Sequence, residues 1–453
     1  MPFTVKKLTQ VDTSSPDAVG KSLVNLAKYT EDEFGQVASA MQDTFADHVW
    51  NKAPPRPRRG TYVYADGTNW NPGYGEGPYW FDGTLYHPMG QGSAPFDAMA
   101  SDNLFINGNM QVSQENGTSV ISITAPPKYI VDGWGASWVH AGAAFGAGQT
   151  TNTGGGLPGM PSYINLQATT AIASVAAGDY AMIYQPIEGY RMAALAWGTA
   201  NALPLTLGFV VDVQAGTTIS VAVRNAANNR SYVTNVSVIA NQWNYVTVTI
   251  PGDTTGTWAI DNTIGAFVSI CFCCGSTFQA ASANTWSAGN FIGTSSTSNC
   301  FATNNNTVFL NGAFALPGSG GPVQARWPFM FRPLPVELPL CQRYYQKSYD
   351  LTTVPGTVTS TGMSAVYVTG VTTAGNSLSC YVKFAPYMRI APTCAVYSTV
   401  TGAKGLVRDA QNSADVTGSI DISGQSGFRW YAQSSAAVSV VNLQAHWTAD
   451  ARL

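Results

Sequence analysis

Residues 262–325 contain no Asp, Glu, Lys or Arg. Ser, Thr, Asn and Gly separate apolar runs there, such as residues 265–275. Globular domains usually carry about a quarter charged residues, and surface charge keeps a protein solvated and unassociated. A surface as neutral as this is expected where protein meets protein in a permanent assembly, or where protein meets sugar. The stretch therefore favours one of these two settings.

The overall composition excludes several classes of partner. Only 10% of the 453 residues are charged, and the net charge is −3. Nucleic-acid binding needs a basic face, and the one candidate, residues 52–59, mixes cations with prolines as a solvated linker does. The N-terminus lacks the apolar core of a signal peptide, and no apolar run approaches the ~18 residues of a membrane helix. We expect a soluble protein made in a cytoplasm, with neither nucleic acid nor membrane as partner.

The seven cysteines do not suggest a disulfide framework or a metal site. On a strand, Cys271 and Cys273 share one face and Cys274 points to the other. Unpaired cysteine usually behaves as a small buried hydrophobe. Zinc would need Cys-x2-Cys pairs or nearby histidines, and the four histidines are scattered. We therefore expect free buried thiols, no metal and no cofactor.

The first predicted element is a helix within residues 1–50. Ser14 or Ser15 can cap it, and Pro16 suits its first turn. Apolar or small residues then recur at spacings of three and four, close to a heptad with a stutter: Val19, Leu23, Leu26, Thr30, Phe34, Val37, Met41 and Phe45. Self-association is favoured over a single helix packed on its own domain, because prolines follow directly and isolate the segment. Leu23, Leu26, Phe34, Val37 and Met41 are thus predicted to serve oligomerisation or attachment.

Residues 51–100 are rich in Gly, Pro and aromatic residues. Asp66-Gly67 and Asp82-Gly83 are hairpin turn signals. The segment predicts a small β module that is too poor in aliphatic residues to be stable alone.

From Asn103 onward the pattern is that of strands, with no convincing helix longer than about ten residues. Alternating, β-branched segments bounded by Gly, Asn or Pro predict strands at 119–124, 207–213, 218–224, 245–250, 266–272, 307–310, 363–369, 378–384, 393–398, 427–433 and 438–447. Residues 142–159 read as a Gly-rich loop, and the three prolines of 333–339 as an extended domain connection. Strands without intervening helices imply antiparallel sandwiches.

Several sequence segments resemble segments of phage and prophage tail-fibre-like structural proteins. They are residues 103–110, 129–134, 185–189, 228–232, 250–258 and 331–345, followed by 384–393 and 446–453. Residues 54–80 also resemble a short shaft module of such proteins. The resemblance implies a virion fibre, trimeric, with a jelly-roll domain similar to a carbohydrate-binding module.

The sequence offers little for catalysis and more for sugar binding. A glycosidase needs two carboxylates facing one sugar, and residues 140–325 offer only Asp179, Glu188, Asp212, Asp253 and Asp261. No nucleophile elbow, zinc-protease or phosphate-loop motif is present. Sugar binding needs aromatic faces among neutral hydrogen-bonding side chains. Trp286 is one candidate, and on a strand Arg429 and Tyr431 share a face opposite Phe428 and Trp430.

These observations predict a mainly β fibre protein with four parts. They are an N-terminal helical anchor (1–50), a β shaft module (51–100), a jelly-roll domain similar to a carbohydrate-binding module (101–340) and a C-terminal β-sandwich (341–453). We expect a non-enzymatic phage virion fibre, a homotrimer that attaches to another virion protein through its N-terminus and binds a host-surface glycan. A head fibre without receptor role and a glycan-degrading tailspike are the alternatives.

Overall fold

A computed structural model describes residues 49–50, 52–53, 57–72, 76–88, 99–123, 126–370, 375–436 and 439–453. The chain divides into two compact units, residues 1–93 and 94–453. The predicted N-terminal helix, with Leu23, Leu26, Phe34, Val37 and Met41, lies outside the described residues. Its roles in oligomerisation and attachment stay predictions, as do the domain boundaries.

The described part of the first unit is a four-stranded sheet. Its strands are β1 (Val49–Trp50), β2 (Tyr62–Asp66), β3 (Glu76–Phe81) and β4 (Tyr86–Pro88), in that order across the sheet. The Asp66 carboxylate accepts the backbone N–H groups of Thr68, Asn69 and Trp70. Asp82 accepts those of Thr84 and Leu85 in the same way. Both predicted Asp-Gly turns are thus built by an aspartate that closes the turn on itself.

The second unit is almost entirely β. Its first strands are β5 (Ile121–Ile123), β6 (Lys128–Val131), β7 (Trp134–Val139), β8 (Ala144–Thr151), β9 (Ser162–Thr170), β10 (Tyr180–Glu188), β11 (Leu205–Val213), β12 (Thr218–Asn225), β13 (Arg230–Ser237), β14 (Asn244–Ile250), β15 (Ile264–Cys274), β16 (Trp286–Ala288) and β17 (Thr307–Pro317). The later ones are β18 (Tyr345–Lys347), β19 (Ser364–Thr369), β20 (Ser377–Lys383), β21 (Thr393–Ser398), β22 (Leu406–Asp409), β23 (Ala414–Gly424), β24 (Gly427–Gln433) and β25 (Val440–Asp450). The described helices are α1 (Gly189–Met192), α2 (Leu334–Gln342) and short 3-10 turns at Ala100–Asp102, Ala193–Leu195, Ser276–Phe278 and Gln324–Met330.

Strands β5 to β17 form two antiparallel sheets that pack face to face. One sheet has the order β16-β13-β12-β15-β10-β7-β6, and the other has the order β14-β11-β17-β9-β8-β5. Side chains of both sheets, such as Trp134, Phe145, Phe209 and Val268, meet in one core. Each such side chain stabilises the fold by about 1.5–3 kcal/mol through burial. This is a β-sandwich in the jelly-roll style that the sequence predicted.

Strand β15 is covered on both faces, and a bulge reverses part of its predicted alternation. Met182 pairs with Cys271 and Ala181 pairs with Cys273, so Phe272 is the extra residue of a β-bulge. Cys273 therefore joins the inner core, whereas Cys271 and Cys274 lie in a second cluster on the outer face. The prediction that Cys271 and Cys273 share a face is wrong for this reason. All seven cysteines are free, and five of them are buried.

The remaining strands form a second sandwich from one folded sheet. The sheet has the order β18-β25-β22-β23-β24-β20, and β19 and β21 also pair with β25. Phe428 and Trp430 from β24 meet Val396 from β21 and Leu443 from β25 in one core. The sheet therefore folds over and packs against itself. The prediction of a mainly β protein with antiparallel sheets and few helices is confirmed, and the trimer stays a prediction.

Two segments predicted from their Pro and Gly content are different in the structure. Residues 334–342 form helix α2, because Pro335 lies in the first turn, where its missing N–H is not needed. The predicted loop 142–159 contains strand β8, which pairs with β9 and β5. Glycine fits closely at position 148 of this strand, because the Cβ of any other residue would lie 3.1 Å from the carbonyl oxygen of Ser119, closer than ordinary van der Waals contact.

Candidate functional site

The outer face of the C-terminal sheet carries two of the three predicted glycan-binding residues. Along β24, Phe428 and Trp430 are fully buried, whereas Arg429 and Tyr431 remain partly accessible. The predicted alternation is confirmed. The glycan-binding role of Arg429 and Tyr431 stays a prediction.

The register of the neighbouring strands adds further side chains to this face. Tyr381 of β20 and Asp421 of β23 lie opposite Arg429 on either side of β24. Ser379 and Ser419 flank Tyr431 in the same manner. Because neighbouring strands are about 4.8 Å apart, the three rows make a surface about 10 Å wide. We call the following six residues the tyrosine face: Ser379, Tyr381, Ser419, Asp421, Arg429 and Tyr431.

One ion pair fixes the charge of the tyrosine face. Arg429 donates from Nε to Asp421 Oδ1 at 2.8 Å and from Nη2 to Asp421 Oδ2 at 2.6 Å. The side chains are 40% and 36% exposed, so solvent screens the pair. The Arg429 hydrogen bonds hold the pKa of Asp421 below its usual value, and the same bonds raise that of Arg429. The pair therefore stays ionised and is neutral as a unit.

The Tyr381 ring occupies space that a side chain at position 427 would fill. Tyr381 is 58% exposed, yet a Cβ on Gly427 would lie only 2.6 Å from its hydroxyl oxygen. The ring thus lies across the start of β24, with much of its surface free. An exposed aromatic ring is a suitable platform for the apolar face of a sugar.

A groove continues from Tyr431 toward the end of β24. Its volume is about 560 Å³, within the range of ligand sites. It is lined by Asp415, Val416, Thr417, Ser419, Tyr431, Ala432, Gln433, Ser434 and Ser435. Ser434 is only 3% exposed, and its hydroxyl has no partner among the described residues. A buried hydroxyl without a partner costs free energy; because this oxygen is enclosed, a ligand in the groove does not contact it directly.

Trp286, the third candidate, belongs to an aromatic cluster at the edge of the jelly-roll. Its ring lies 5.4 Å from Trp197 and 5.5 Å from Trp258, centroid to centroid. Its Nε1 donates to the carbonyl of Pro251 at 2.9 Å. The Arg230 guanidinium lies 5.7 Å from the ring centroid. Trp286 is therefore engaged in packing, and a glycan-binding role for it stays a prediction.

Four of the five carboxylates considered for catalysis bind other groups of the protein. Asp179 binds His140, Glu188 binds Arg343, Asp253 binds Arg230, and Asp261 accepts from Thr263. Burial raises the pKa of the fifth, Asp212. Glu188 and Asp253 are 2% and 1% exposed. Glu188 and Asp253, enclosed in this way, are poorly placed to flank a sugar bond, and the non-enzymatic role stays a prediction.

The segments whose sequences resemble tail-fibre-like proteins meet in one buried hydrogen-bond network. Ile106 and Gln185 exchange two hydrogen bonds, at 2.9 and 3.0 Å. Glu337 accepts the backbone N–H of Asn107 at 2.7 Å and pairs with Arg332 at 3.2 Å. These residues join the start, centre and end of the jelly-roll segment. Their role is structural.

Sequence reasoning missed Tyr381, Asp421 and Ser434. The signal for Tyr381 was the alternation of 377–383, which places it on the same side as Ser379. Within the described residues, no cluster of three or more His, Cys, Asp or Glu side chains is arranged to hold a metal ion. No helix in the described ranges has both the length and the apolar character needed to cross a membrane.

Comparisons with known proteins give partial structural similarity only. No protein-family model matches the chain. No curated protein matches it significantly.

Several solved structures match part of the chain. The enzymatically active domain of tailspike protein 4 of bacteriophage CBA120 has a TM-score of 0.25 and 12% identity, over 48% of this chain and 22% of that chain. Xylanase 10B of Clostridium thermocellum, in complex with xylohexaose, has a TM-score of 0.24 and 10% identity, over 46% and 29%. A family 11 carbohydrate-binding module from a cellulosomal cellulase of the same organism has a TM-score of 0.23 and 12% identity, over 44% and 98%. The match thus spans less than a third of the first two chains, and it assigns no activity or ligand to this one.

Proposed function

We propose that this chain is a non-enzymatic phage virion fibre that binds a host-surface glycan through the tyrosine face and the adjoining groove. The fibre is a homotrimer and attaches to another virion protein through residues 1–50. The sequence phrases that resemble tail-fibre-like proteins support the virion role. The tyrosine face supports the glycan role.

The observation that carries the glycan role is the composition of this surface. Two tyrosines stand among serines, a threonine and a glutamine, and the charged residues there are paired with each other or with Arg408. Aromatic rings cover the apolar faces of sugars, and neutral donors and acceptors match their hydroxyl groups. The surface is open, so a long polysaccharide can lie along it without threading into a closed cavity.

The test is binding of the full-length protein to a printed array of bacterial capsular polysaccharides and lipopolysaccharides. The wild type is expected to bind a subset of them. Tyr431→Ala is expected to weaken that binding about tenfold or more, the size of effect typical of an aromatic hot spot. Tyr190→Ala is the matched control, because Tyr190 is 62% exposed but lies in α1 of the other sandwich.

Each outcome decides the proposal. Loss of binding in Tyr431→Ala but not in Tyr190→Ala supports it. Absence of wild-type binding, or equal binding by both variants, refutes the glycan role at this face. Release of oligosaccharides from a bound polysaccharide would refute the non-enzymatic part. Light scattering that gives a stable full-length monomer would refute the trimer.

A further inference from the structure

We infer that the tyrosine face selects uncharged glycans and that Asp421 is the residue that sets this selection. The inference rests on the proposed function, because it concerns the ligand of the same site. It assigns a specificity role to a side chain that sequence reasoning did not single out.

The first step is that the Asp421 carboxylate occupies the edge of Arg429 that an anionic sugar would use. A guanidinium recognises a carboxylate or phosphate by two parallel N–H···O bonds. In Arg429 the Nε and Nη2 edge already makes both bonds to Asp421. A uronate or phosphate group on a glycan would have to displace Asp421 or share the cation with it.

The second step is the local balance of charge. Asp421 and Arg429 are the only charged members of the tyrosine face, and they cancel. The charged residue of the groove, Asp415, is balanced by Arg408, with 3.5 Å between Arg408 Nη1 and Asp415 Oδ1. Lys383 is exposed on the same face of β20, two residues beyond Tyr381, but four residues beyond Ser379, the residue that pairs with Tyr431. An anionic ligand over Tyr431 therefore meets two carboxylates and no unpaired cation of the tyrosine face.

The third step is what Arg429 can still offer. A guanidinium has five N–H donors, and Asp421 takes two of them. The others remain available to sugar hydroxyl or ring oxygens, next to the Ser379 and Ser419 hydroxyls in the neighbouring rows. The Asp421 carboxylate can in turn accept from a sugar hydroxyl. The ion pair thus acts as a neutral unit that both donates and accepts, which suits an uncharged polyol.

The experiment compares wild type with Asp421→Asn in the full-length protein. Asn can still accept one hydrogen bond from Arg429, but the guanidinium charge is then uncompensated. The probes are the array polysaccharides, sorted into those with uncharged repeats and those with uronate or phosphate groups. Asp261→Asn is the matched control, because it removes one negative charge from an exposed turn of the other sandwich.

The wild type is expected to bind only uncharged repeats. Asp421→Asn is expected to gain at least about tenfold in affinity for anionic repeats, and salt should reduce this gain. Asp261→Asn should behave as wild type. A wild type that binds through Tyr431 yet holds charged and uncharged repeats equally would overturn this inference and leave the proposed function intact. An unchanged ratio in Asp421→Asn would also overturn it. Absence of any wild-type binding would instead refute the proposed function.

Discussion

Replacement of Arg452 by alanine should strongly destabilise the second unit. The guanidinium lies between two tyrosine rings, 4.7 Å from the centroid of Tyr129 and 4.8 Å from that of Tyr345. It also binds the carboxylates of Glu115 and Asp450. Its side chain is only 16% exposed. Burial lowers the pKa of Arg452, but hydrogen bonds and the charges of the two carboxylates raise it further, so the group stays charged.

The expected size follows from these contacts. Removal of one partner from a buried ion pair costs about 3–5 kcal/mol, because the other charge is left uncompensated. Each cation–π contact contributes about 1–2 kcal/mol in a desolvated setting. The terms overlap, since the carboxylates are partly exposed and water can enter the space. We therefore expect a loss of about 4 kcal/mol in the free energy of unfolding.

The assay is urea unfolding monitored by tryptophan fluorescence. With an m-value of about 3 kcal/mol/M, the loss corresponds to a midpoint lower by about 1.3 M. Arg429→Ala is the control, because Arg429 also forms a two-bond pair with an aspartate, but at an exposed site. Its midpoint should stay at the wild-type value. A shift below about 0.3 M for Arg452→Ala, or equal shifts for both variants, would refute the reasoning.

Three further changes test the core and its buried groups. Burial raises the pKa of Asp132 to about 6, so the folded state holds the carboxyl proton more tightly than the unfolded state does. The free energy of unfolding should therefore fall by up to about 3 kcal/mol as the pH rises from about 4 to about 6. Asp132→Asn should remove this pH dependence in urea titrations. Burial lowers the pKa of His446, so the folded state resists protonation of this ring. The free energy of unfolding should therefore decrease as the pH falls from about 6.5 through the lower folded-state pKa. Because glutamine does not titrate, His446→Gln should shift acid unfolding, followed by circular dichroism, to lower pH. A Cβ on Gly208 would lie 2.0 Å from the Phe314 ring, so Gly208→Ala should cost about 1–3 kcal/mol in thermal melts, whereas Gly178→Ala, with open space around it, should be neutral.

The strands that the sequence predicted best are those with clear period-two alternation. β21 and β24 begin and end at the predicted residues 393–398 and 427–433. β10 was not predicted, and it contains Pro186, which has no N–H to donate to a neighbouring strand. Pairing with β7 extends only to Tyr184, so Pro186 lies where β10 has become an edge on that side, a position that tolerates proline. The bulge at Phe272 depends on pairing with β10, which no local pattern reveals.

The same limit applies to the candidate site. Alternation along β24 separates Arg429 and Tyr431 from the buried Phe428 and Trp430, and this required only local sequence. Asp421 is eight positions from Arg429, and Tyr381 is farther still. Their adjacency depends on the register of three strands, which packing of the whole sandwich sets. The sequence could therefore indicate two side chains of the face but not the ion pair that determines its charge.

The lack of charge in 262–325 has two separate physical causes. β15 and β17 are central strands, and both faces of each are covered by other parts of the jelly-roll, so a charged side chain would be desolvated on either side. In the connecting loop, neutral amides bond to the backbone instead: Asn304 accepts from the N–H of Ala171, and Asn306 donates to the carbonyl of Cys300. Asparagine satisfies such backbone groups without the desolvation cost of a charge. Along β15 and β17 the neutrality thus follows from burial within one chain, whereas for the exposed positions of 276–306 assembly and sugar binding stay predictions. The glycan assay is directed at the C-terminal sheet because the tyrosine face lies there.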